Sequence, residues 1–372
     1  MSKQAIVIAV LVLSPVPLVP AQSGTEVTPE VVEAVNRGLR YLADQQVKDG
    51  PARGAWIGDV GYKLNQDYRV LRSHVPHIGV SALAGMAFLA GGHLPGRGEY
   101  GDVVSACIDY IVAHVNHMGF ITHNETRMYS HAFATLLLAE AYGMTHRADI
   151  RHNLQAAVDL IVKSQNEEGS WRYEPFAKES DMSITVCQLM ALRGARNIGI
   201  RVASSTIEEA KAYVRASQVK EDPDLGDVPG MMGLPYYRLA RGSFKYQNDP
   251  VTRSSFALTA AGVASLMYAG VYADQDIRLA LDFMDESMDH VSRYYSTHYF
   301  YYYGHYYAVQ AMYMAGEPYW SRYWRRVSEE LIEAQLPSGA WVNEYGPGDN
   351  FGTAVATLIL EIPYRYLPIF QR

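Results

Sequence analysis

Two kinds of helical pattern alternate along the chain. The first kind is amphipathic: within residues 28–46, Val35, Leu39 and Leu42 belong to one apolar stripe with a helical period. The second kind is apolar on every face, as in residues 78–91, and such a helix must be buried on all sides. Strand patterns are weak throughout, so the sequence predicts an all-α protein.

The two kinds of helix form pairs that recur about every 50 residues, with one longer gap. The predicted amphipathic helices are 28–46, 100–114, 148–165, 206–218, 276–290 and 319–335, and the predicted apolar helices are 78–91, 130–142, 181–198, 254–269, 302–315 and 353–364. Neither end carries a polar capping repeat, which an open array of pairs needs. We therefore expect the pairs to close into a ring with the apolar helices inside.

The first 22 residues have the pattern of a secretory signal. Lys3 precedes a short apolar run, and small residues lead to Ala21. The run is too short to span a bilayer, and Pro15 and Pro17 argue against a buried N-terminal helix. We predict a signal peptide over 1–22, a single domain over 23–372 and an exported protein of the periplasm or cell envelope, with no integral membrane segment after cleavage.

Composition narrows the range of partners. The 372 residues carry a formal net charge of −7 and no long basic run, so a nucleic-acid partner is not expected. The 28 tyrosines suit the wall of a wide cavity, because each has an apolar ring and a polar tip. Cys107 and Cys187 fall in apolar surroundings within predicted helices and are predicted to be buried free thiols, with a disulfide as the alternative.

A short motif marks the joins between helices. The copies are Gln165-Gly169-Trp171, Gln335-Gly339-Trp341, a third copy with an insertion at Gln46-Gly50-Trp56, and decayed copies at Asn116-Gly119-Phe120 and Gln218-Gly226. The motif resembles the QW repeat of squalene and oxidosqualene cyclases and of protein prenyltransferase β subunits. The whole chain after the signal is most similar to exported bacterial prenyltransferase and squalene oxidase repeat proteins.

The resemblance implies a fold and a set of contacts. The fold is an all-α (α/α)6 toroid of the terpenoid cyclase/prenyltransferase type, with six inner and six outer helices. In that family the Gln bonds the start of the next helix and the Trp stacks on it. The longer gap, residues 222–249, is rich in Gly and Pro, and a loop of this length in a compact domain is usually functional.

The known chemistry of these relatives does not transfer directly. Class II cyclases use an Asp-x-Asp-Asp-Thr acid motif, and here Asp181 and Thr185 are kept while Ser183 and Ile184 replace the two following carboxylates. Ser183 also stands where a prenyltransferase zinc ligand would be Cys. We therefore predict no metal and no cofactor; a rearranged zinc site of Asp181, His131 and His305 is the weaker alternative.

A site is expected where the inner helices begin, because all of them run in the same direction and their N-terminal ends gather at one mouth. The acid–base candidates are Asp181, His131 and His305, for which the alternatives are a helix cap, a core histidine and a polar member of a Tyr-rich wall. The predicted ligand-binding residues are His77, Tyr129, Ser183, Arg253, Tyr302, Tyr303 and Asn350.

Three functions remain open at this stage. The first is a cavity that binds, and in an enzyme transforms, an isoprenoid or another lipid-like hydrophobic molecule. The second is a polysaccharide-active (α/α)6 enzyme, which needs paired carboxylates or basic residues for uronates. The third is an interaction scaffold without catalysis. The apolar inner helices favour the first.

Overall fold

The computed structural model describes residues 26–64, 67–145, 147–221, 239–249 and 252–371. Within these ranges it contains α-helices α1 to α12, in chain order Pro29–Gln45, Ile78–Ala90, Gly101–Ala113, Met128–Thr145, Ala148–Lys163, Met182–Asn197, Ser204–Ala216, Phe256–Tyr268, Gln275–Tyr295, Tyr299–Ala315, Tyr319–Ala334 and Asp349–Glu361. The predicted signal peptide and residues 222–238 of the long loop lie outside the described residues.

The even-numbered helices form a closed inner ring. Each packs on the next even-numbered helix, and α12 packs on α2 to complete the circle. Every residue of α2 is buried, whereas α1 buries one stripe that includes Val35 and Leu39. The alternation in the sequence therefore separates inner from outer helices, and the predicted all-α (α/α)6 toroid is confirmed.

Glutamines tie four of the joins to the following outer helix. Gln335 Nε2 donates to the carbonyl oxygens of Gly339 at 3.0 Å and of Ala34 in α1 at 2.9 Å, so this side chain also closes the ring. The same pair of bonds recurs from Gln46 to Gly54 and Val103, from Gln165 to Gly169 and Thr206, and from Gln218 to Gly242 and Asp276.

A glycine packs on the next outer helix in five of the joins, and in four of them a buried Trp or Phe follows it two residues later. Gly339 has φ +91°, and a Cβ there would lie 2.4 Å from the Arg37 oxygen in α1, so only glycine fits. The corresponding glycines are Gly54, Gly119, Gly169 and Gly242. Trp341 Nε1 donates to the Leu331 oxygen at 2.8 Å, and Trp56 and Trp171 make the same bond to their own outer helices.

Two glycines assigned from sequence spacing need correction. Gly54, rather than Gly50, packs on the next outer helix; a Cβ on Gly50 would meet nothing within 4 Å. The bond from Gln218 goes to the oxygen of Gly242, and the predicted Gly226 lies outside the described residues. Insertions in these two joins separate the glutamine from its glycine in sequence while leaving the contact intact.

A β-hairpin that the sequence pattern did not predict connects α1 to α2. Strand β1, Ile57–Leu64, pairs antiparallel with β2, Asp67–Pro76. Most of β2 is exposed, so it lacks the two-residue alternation that identifies a half-buried strand. The backbone N–H of Asp59 donates to the Pro347 oxygen at 2.9 Å, which fastens the hairpin to the mouth of the ring.

The opposite end of the ring is closed by the C-terminal segment. Two single-turn 3-10 helices, Ile362–Tyr364 and Pro368–Phe370, follow α12, and the second packs on α6. Cys107 and Cys187 are buried free thiols, as predicted. Among the described helices none is both long and apolar enough to cross a membrane.

Candidate functional site

A cavity of about 700 Å³ opens where the inner helices begin. The hairpin forms one side of it, and the loops before the inner helices form the rest of the rim. Its walls are formed mainly by aromatic residues: Tyr62, Tyr68, Tyr129, Phe133, Tyr173, Tyr246, Tyr299, Phe300, Tyr303, Tyr306 and Phe351. Its volume falls in the range of small-molecule sites.

Polarity changes with depth in the cavity. Arg127, Arg172 and Arg253 line it from the loops that precede inner helices. Leu83 and Tyr306 line it five and seven residues after the starts of their helices, about 8 to 10 Å deeper along the helix axis. The cavity therefore has an apolar body beneath a polar, basic rim.

The rim arginines lie against tyrosine rings. The guanidinium of Arg253 is 4.4 Å from the centre of the Tyr246 ring, and that of Arg172 is 5.2 Å from the Tyr173 ring. Arg172 also donates to the Ser180 oxygen at 3.1 Å. These contacts hold the planar cations in fixed orientations at the rim, where an anionic group can be met by several N–H donors.

Asp181 is fully buried immediately behind the cavity wall. It is the N-cap of α6: its Oδ1 accepts from the Ser183 backbone N–H at 2.8 Å and from the Ser183 hydroxyl at 2.5 Å. Its Oδ2 is buried and has no partner with hydrogen-bond geometry among the described residues. Asp181 is thus a helix cap, the alternative that the sequence suggested for it, and its Oδ2 takes no part in the capping bonds.

Tyrosine hydroxyls surround this carboxyl group. The Tyr129 hydroxyl donates to Ser183 Oγ at 2.5 Å, so it is one step removed from Asp181. The hydroxyls of Tyr173 and Tyr246 bond each other at 2.8 Å and lie near the carboxyl group. Burial raises the pKa of Asp181, and the hydrogen bonds from Ser183 together with the proximity of the Tyr246 and Tyr173 hydroxyls oppose that shift.

His77 presents a neutral imidazole to the cavity. Its Nδ1 accepts the α2 capping bond from the Val80 N–H at 3.2 Å, which assigns the ring proton to Nε2. Burial lowers the pKa of His77 to about 4, so the ring is uncharged at neutral pH. His77 lines the cavity beside Ser130 and is a hydrogen-bond donor to a ligand.

The structure does not bring His131 and His305 to the cavity. His131 is fully buried, with Nδ1 accepting from the Ile121 N–H at 3.1 Å and Nε2 bonded to the Ala157 oxygen at 3.2 Å. His305 Nδ1 is bonded to the Tyr323 hydroxyl at 2.9 Å, and neither histidine is among the lining residues. Their geometry gives no support to acid–base partnership with Asp181.

His131 occupies a repeated structural position. Ser81, Thr259 and Thr353, at the same place in their inner helices, each accept a bond from the backbone N–H of the aromatic residue in the preceding join. His131 accepts the equivalent bond from Ile121, and its second nitrogen reaches α5. These contacts match the alternative in which His131 is a hydrogen-bonded histidine of the core.

The predicted ligand-binding residues divide into two groups. His77, Tyr129, Ser183, Arg253 and Tyr303 line the cavity. Tyr302 instead donates to the Val342 oxygen at 2.7 Å, and Asn350 donates to the Ile57 oxygen at 2.9 Å; both support the neighbouring join and hairpin. Within the described ranges no three His, Cys, Asp or Glu side chains are placed to hold a metal ion.

Sequence reasoning missed several residues of the wall. Tyr68 comes from the unpredicted hairpin, and Arg172, Tyr173 and Tyr246 come from loops. Arg172 and Tyr173 directly follow Trp171, whose buried position brings the next two residues to the rim. That adjacency is a signal that the sequence carried, whereas the position of Tyr68 depends on the hairpin.

Comparisons with known proteins identify the fold. No protein-family model matches the chain, and no curated protein matches its sequence. Among solved structures, it is similar to an α-amylase from Clostridium perfringens (TM-score 0.60, 9% identity, covering 88% of this chain and 97% of that one) and to cellobiose 2-epimerase from Bacillus thermoamylovorans (TM-score 0.60, 12%, 90% and 99%). It is also similar to a type II terpene cyclase from Scytonema (TM-score 0.55, 13%, 91% and 99%). At these identities the likeness establishes the toroid alone.

Proposed function

We propose that the protein binds a lipid-like molecule of the isoprenoid class, with an apolar body and a polar or anionic head, in its central cavity. The observation that carries this proposal is the gradient within the cavity. Aromatic and aliphatic side chains form its depth, while Arg127, Arg172 and Arg253 are confined to the rim. An apolar chain gains burial below, and an anionic head meets guanidinium groups above.

The acidic residues argue against a glycosidase. Hydrolysis of a glycosidic bond ordinarily uses two carboxyl groups that flank the bond, about 5 to 10 Å apart. Glu125 is the acidic residue in the described cavity lining, and it forms an ion pair with Arg72 at 2.5 Å. Asp181 lies behind Ser183 and is fully buried. Among the described residues, the polysaccharide alternative therefore lacks its usual pair of acids at this cavity.

The test is a binding competition with defined probes. A fluorescent polyene fatty acid is bound first and then displaced by farnesol, by farnesyl phosphate or by cello-oligosaccharides. We expect both isoprenoids to displace it and the phosphate to bind about tenfold more tightly than the alcohol, since a charge-assisted hydrogen bond contributes about 1.5 to 3 kcal/mol.

Two variants make the competition specific. Arg172→Ala is expected to remove most of the preference for the phosphate, and Arg151→Ala, on the exposed face of α5, is the matched control. Binding of the oligosaccharides without displacement by either isoprenoid would contradict the proposal and favour the carbohydrate function. Binding of none of the probes would favour the scaffold.

We also propose that the protein is exported from the cytoplasm. The support for export is the sequence pattern of residues 1–22 alone. Expression of the full chain in a bacterial host, followed by mass measurement of the protein from the envelope fraction, tests it. We expect a mature N-terminus near Ala21, and an uncleaved chain in the cytoplasm would contradict it.

A further inference from the structure

The buried carboxyl of Asp181 is connected to the cavity by two hydroxyl groups. Tyr129 and Ser183 both line the cavity, while Asp181 is fully buried. The Tyr129 hydroxyl donates to Ser183 Oγ at 2.5 Å, and the Ser183 hydroxyl donates to Asp181 Oδ1 at 2.5 Å. A ligand thus meets the end of a continuous chain of hydrogen bonds whose other end is a carboxylate.

The direction of these bonds determines what Tyr129 offers. Because its proton points to Ser183, the lone pairs of its oxygen are left for the cavity. A ligand group placed there must therefore be a donor. The position of Ser183 is further fixed because its carbonyl oxygen accepts from the Tyr303 hydroxyl at 3.4 Å and from the Cys187 thiol at 3.1 Å.

We propose that Tyr129, Ser183 and Asp181 form a proton relay, through which a ligand in the cavity exchanges a proton with a carboxyl group that it never touches. Tyr129 is the residue that takes the proton from the ligand, and Ser183 and Asp181 act through it. The ligand class is a molecule whose polar end carries an ionisable hydroxyl or a C–H bond made acidic by neighbouring carbonyl groups.

The transfer balances without any further reactant. The ligand X–H bond breaks as its proton bonds to the Tyr129 oxygen, the Tyr129 proton passes to Ser183, and the Ser183 proton passes to Asp181 Oδ1. Tyr129 and Ser183 end neutral, Asp181 ends as a carboxylic acid, and the electron pair stays on the ligand as its conjugate base. With the hydroxyl groups reversed, the same relay returns the proton.

The groups around Asp181 suit a carboxyl that gains and loses a proton. Its Oδ2 is buried and has no partner with hydrogen-bond geometry among the described residues, so no such bond there favours the carboxylate form over the acid form. The hydroxyls of Tyr173 and Tyr246 lie nearby, with Arg172 and Arg253 over their rings on the cavity side. Burial raises the pKa of the carboxyl, which favours its acid form after the transfer.

The first test needs no ligand. The full chain is mixed from H2O into D2O at a pH at which Asp181 is protonated, and the carboxylic acid band, identified by its loss in Asp181→Asn, is followed by time-resolved infrared spectroscopy. We expect Tyr129→Phe and Ser183→Ala each to slow its exchange by about tenfold or more. Tyr303→Phe is the matched control, because that hydroxyl bonds the Ser183 carbonyl oxygen and not its side chain.

The outcomes of this test distinguish a proton relay from a purely structural role of Tyr129 and Ser183. Slower exchange in Tyr129→Phe and Ser183→Ala, with a wild-type rate in Tyr303→Phe, supports the relay. Equal rates in all proteins, or equal slowing in Tyr303→Phe, would overturn it, because a general loosening of the wall would then explain the result. A carboxylic acid band that never appears on acidification would overturn it as well.

The second test includes a ligand and rests on the proposed function. A long-chain 3-oxo ester is the probe, and mass spectrometry follows deuterium uptake at the carbon between its two carbonyl groups. We expect the protein to accelerate uptake and Tyr129→Phe and Asp181→Asn to abolish the acceleration. Tyr323→Phe is the control and should keep the wild-type rate, because its buried hydroxyl bonds His305 and does not line the cavity.

Binding of the same ester, measured by displacement of the fluorescent fatty acid, separates the two proposals. An ester that binds without accelerated uptake overturns the relay's action on ligands. An ester and isoprenoids that fail to bind contradict the proposed function, while the ligand-free exchange still decides whether the relay exists.

Discussion

The two ends of the ring each bury a carboxyl group, and they treat it differently. At the mouth, Asp181 Oδ1 accepts two hydrogen bonds from Ser183. At the far end, Glu361 is the last residue of α12, is fully buried, and has no hydrogen-bond partner among the described residues for either oxygen. Burial raises the pKa of both groups.

The two carboxyl groups differ in whether hydrogen-bond donors offset the cost of removing the carboxylate from water. Donors at the mouth favour the carboxylate, so Asp181 has a protonation state that its surroundings can change. Among the described residues no hydrogen bond favours the carboxylate of Glu361, so burial beside Gly91 and Tyr364 shifts this group toward its neutral acid form. A buried acid becomes chemically useful only when donors connect it to a cavity. Four experiments test this contrast, in order of decreasing effect.

Replacing Trp341 by Ala tests the stability of the mouth end. Its ring is fully buried in the last join and its Nε1 donates to the Leu331 oxygen. We expect a loss of about 3 to 5 kcal/mol in the free energy of unfolding, measured by urea denaturation. Tyr345→Ala, at an exposed aromatic side chain of the same join, should cost about 0.5 kcal/mol. Equal costs would show that the join does not stabilise the ring.

Replacing Glu361 by Gln tests the far end through pH. The folded pKa is raised above the unfolded value of about 4.5, so the folded state keeps a proton that the unfolded chain has lost. Stability from this group is complete below about pH 4.5 and falls by about 1.4 kcal/mol per pH unit until the folded pKa is reached.

The Glu361→Gln variant should lose that slope in thermal unfolding across pH. Glu140, whose pKa is raised to about 8 by burial, adds a slope of the same sign from about pH 4.5 to 8, which Glu140→Gln removes. Exposed Glu333→Gln is the control. A wild-type slope in Glu361→Gln would contradict the neutral-acid description.

Replacing Asp181 by Ala should cost about 1 kcal/mol, the usual loss for a helix cap, because two bonds to Ser183 disappear. Asp181→Asn retains an oxygen for the backbone bond and should cost less. Denaturant unfolding at neutral pH measures both. A loss in Asp181→Asn as large as that in Asp181→Ala would mean that the charge, rather than the capping oxygen, stabilises the mouth.

The smallest effect is expected from Tyr173→Phe. This change removes one hydroxyl–hydroxyl bond to Tyr246 and leaves the ring beneath Arg172 in place. We expect a loss of about 0.5 to 1 kcal/mol by the same measurement. A loss above about 3 kcal/mol would indicate that the tyrosine pair, rather than Ser183, holds Asp181.

The sequence predicted the helices well because burial differs so strongly between the two kinds. Helices such as α2 bury every position, and the outer helices bury a stripe, so each kind has a distinct pattern. The hairpin was not predicted because β2 is mostly exposed and has no alternating apolar pattern. The glycine partners of Gln46 and Gln218 were misplaced because inserted residues change the spacing and leave the contact unchanged.

The site was predictable in location and less so in detail. Because the inner helices are parallel, His77, Tyr129 and Ser183 lie at one mouth, and this location does not depend on side-chain contacts. The role of His131 depends on the backbone N–H of Ile121 and the carbonyl of Ala157, which meet it only in the folded ring. Local pattern carries no information about such contacts between distant segments.

The bond from Gln335 to Ala34 has a consequence for the order of synthesis. The first helix reaches its final partners only when the last join has been made, some 300 residues later. Until then the growing chain leaves an uncovered apolar inner helix at each end of the incomplete ring. A fragment with fewer helix pairs cannot make the contacts that close the ring. We expect the ring to form late and all at once, so that a holding chaperone, rather than stepwise folding, protects the unfinished chain.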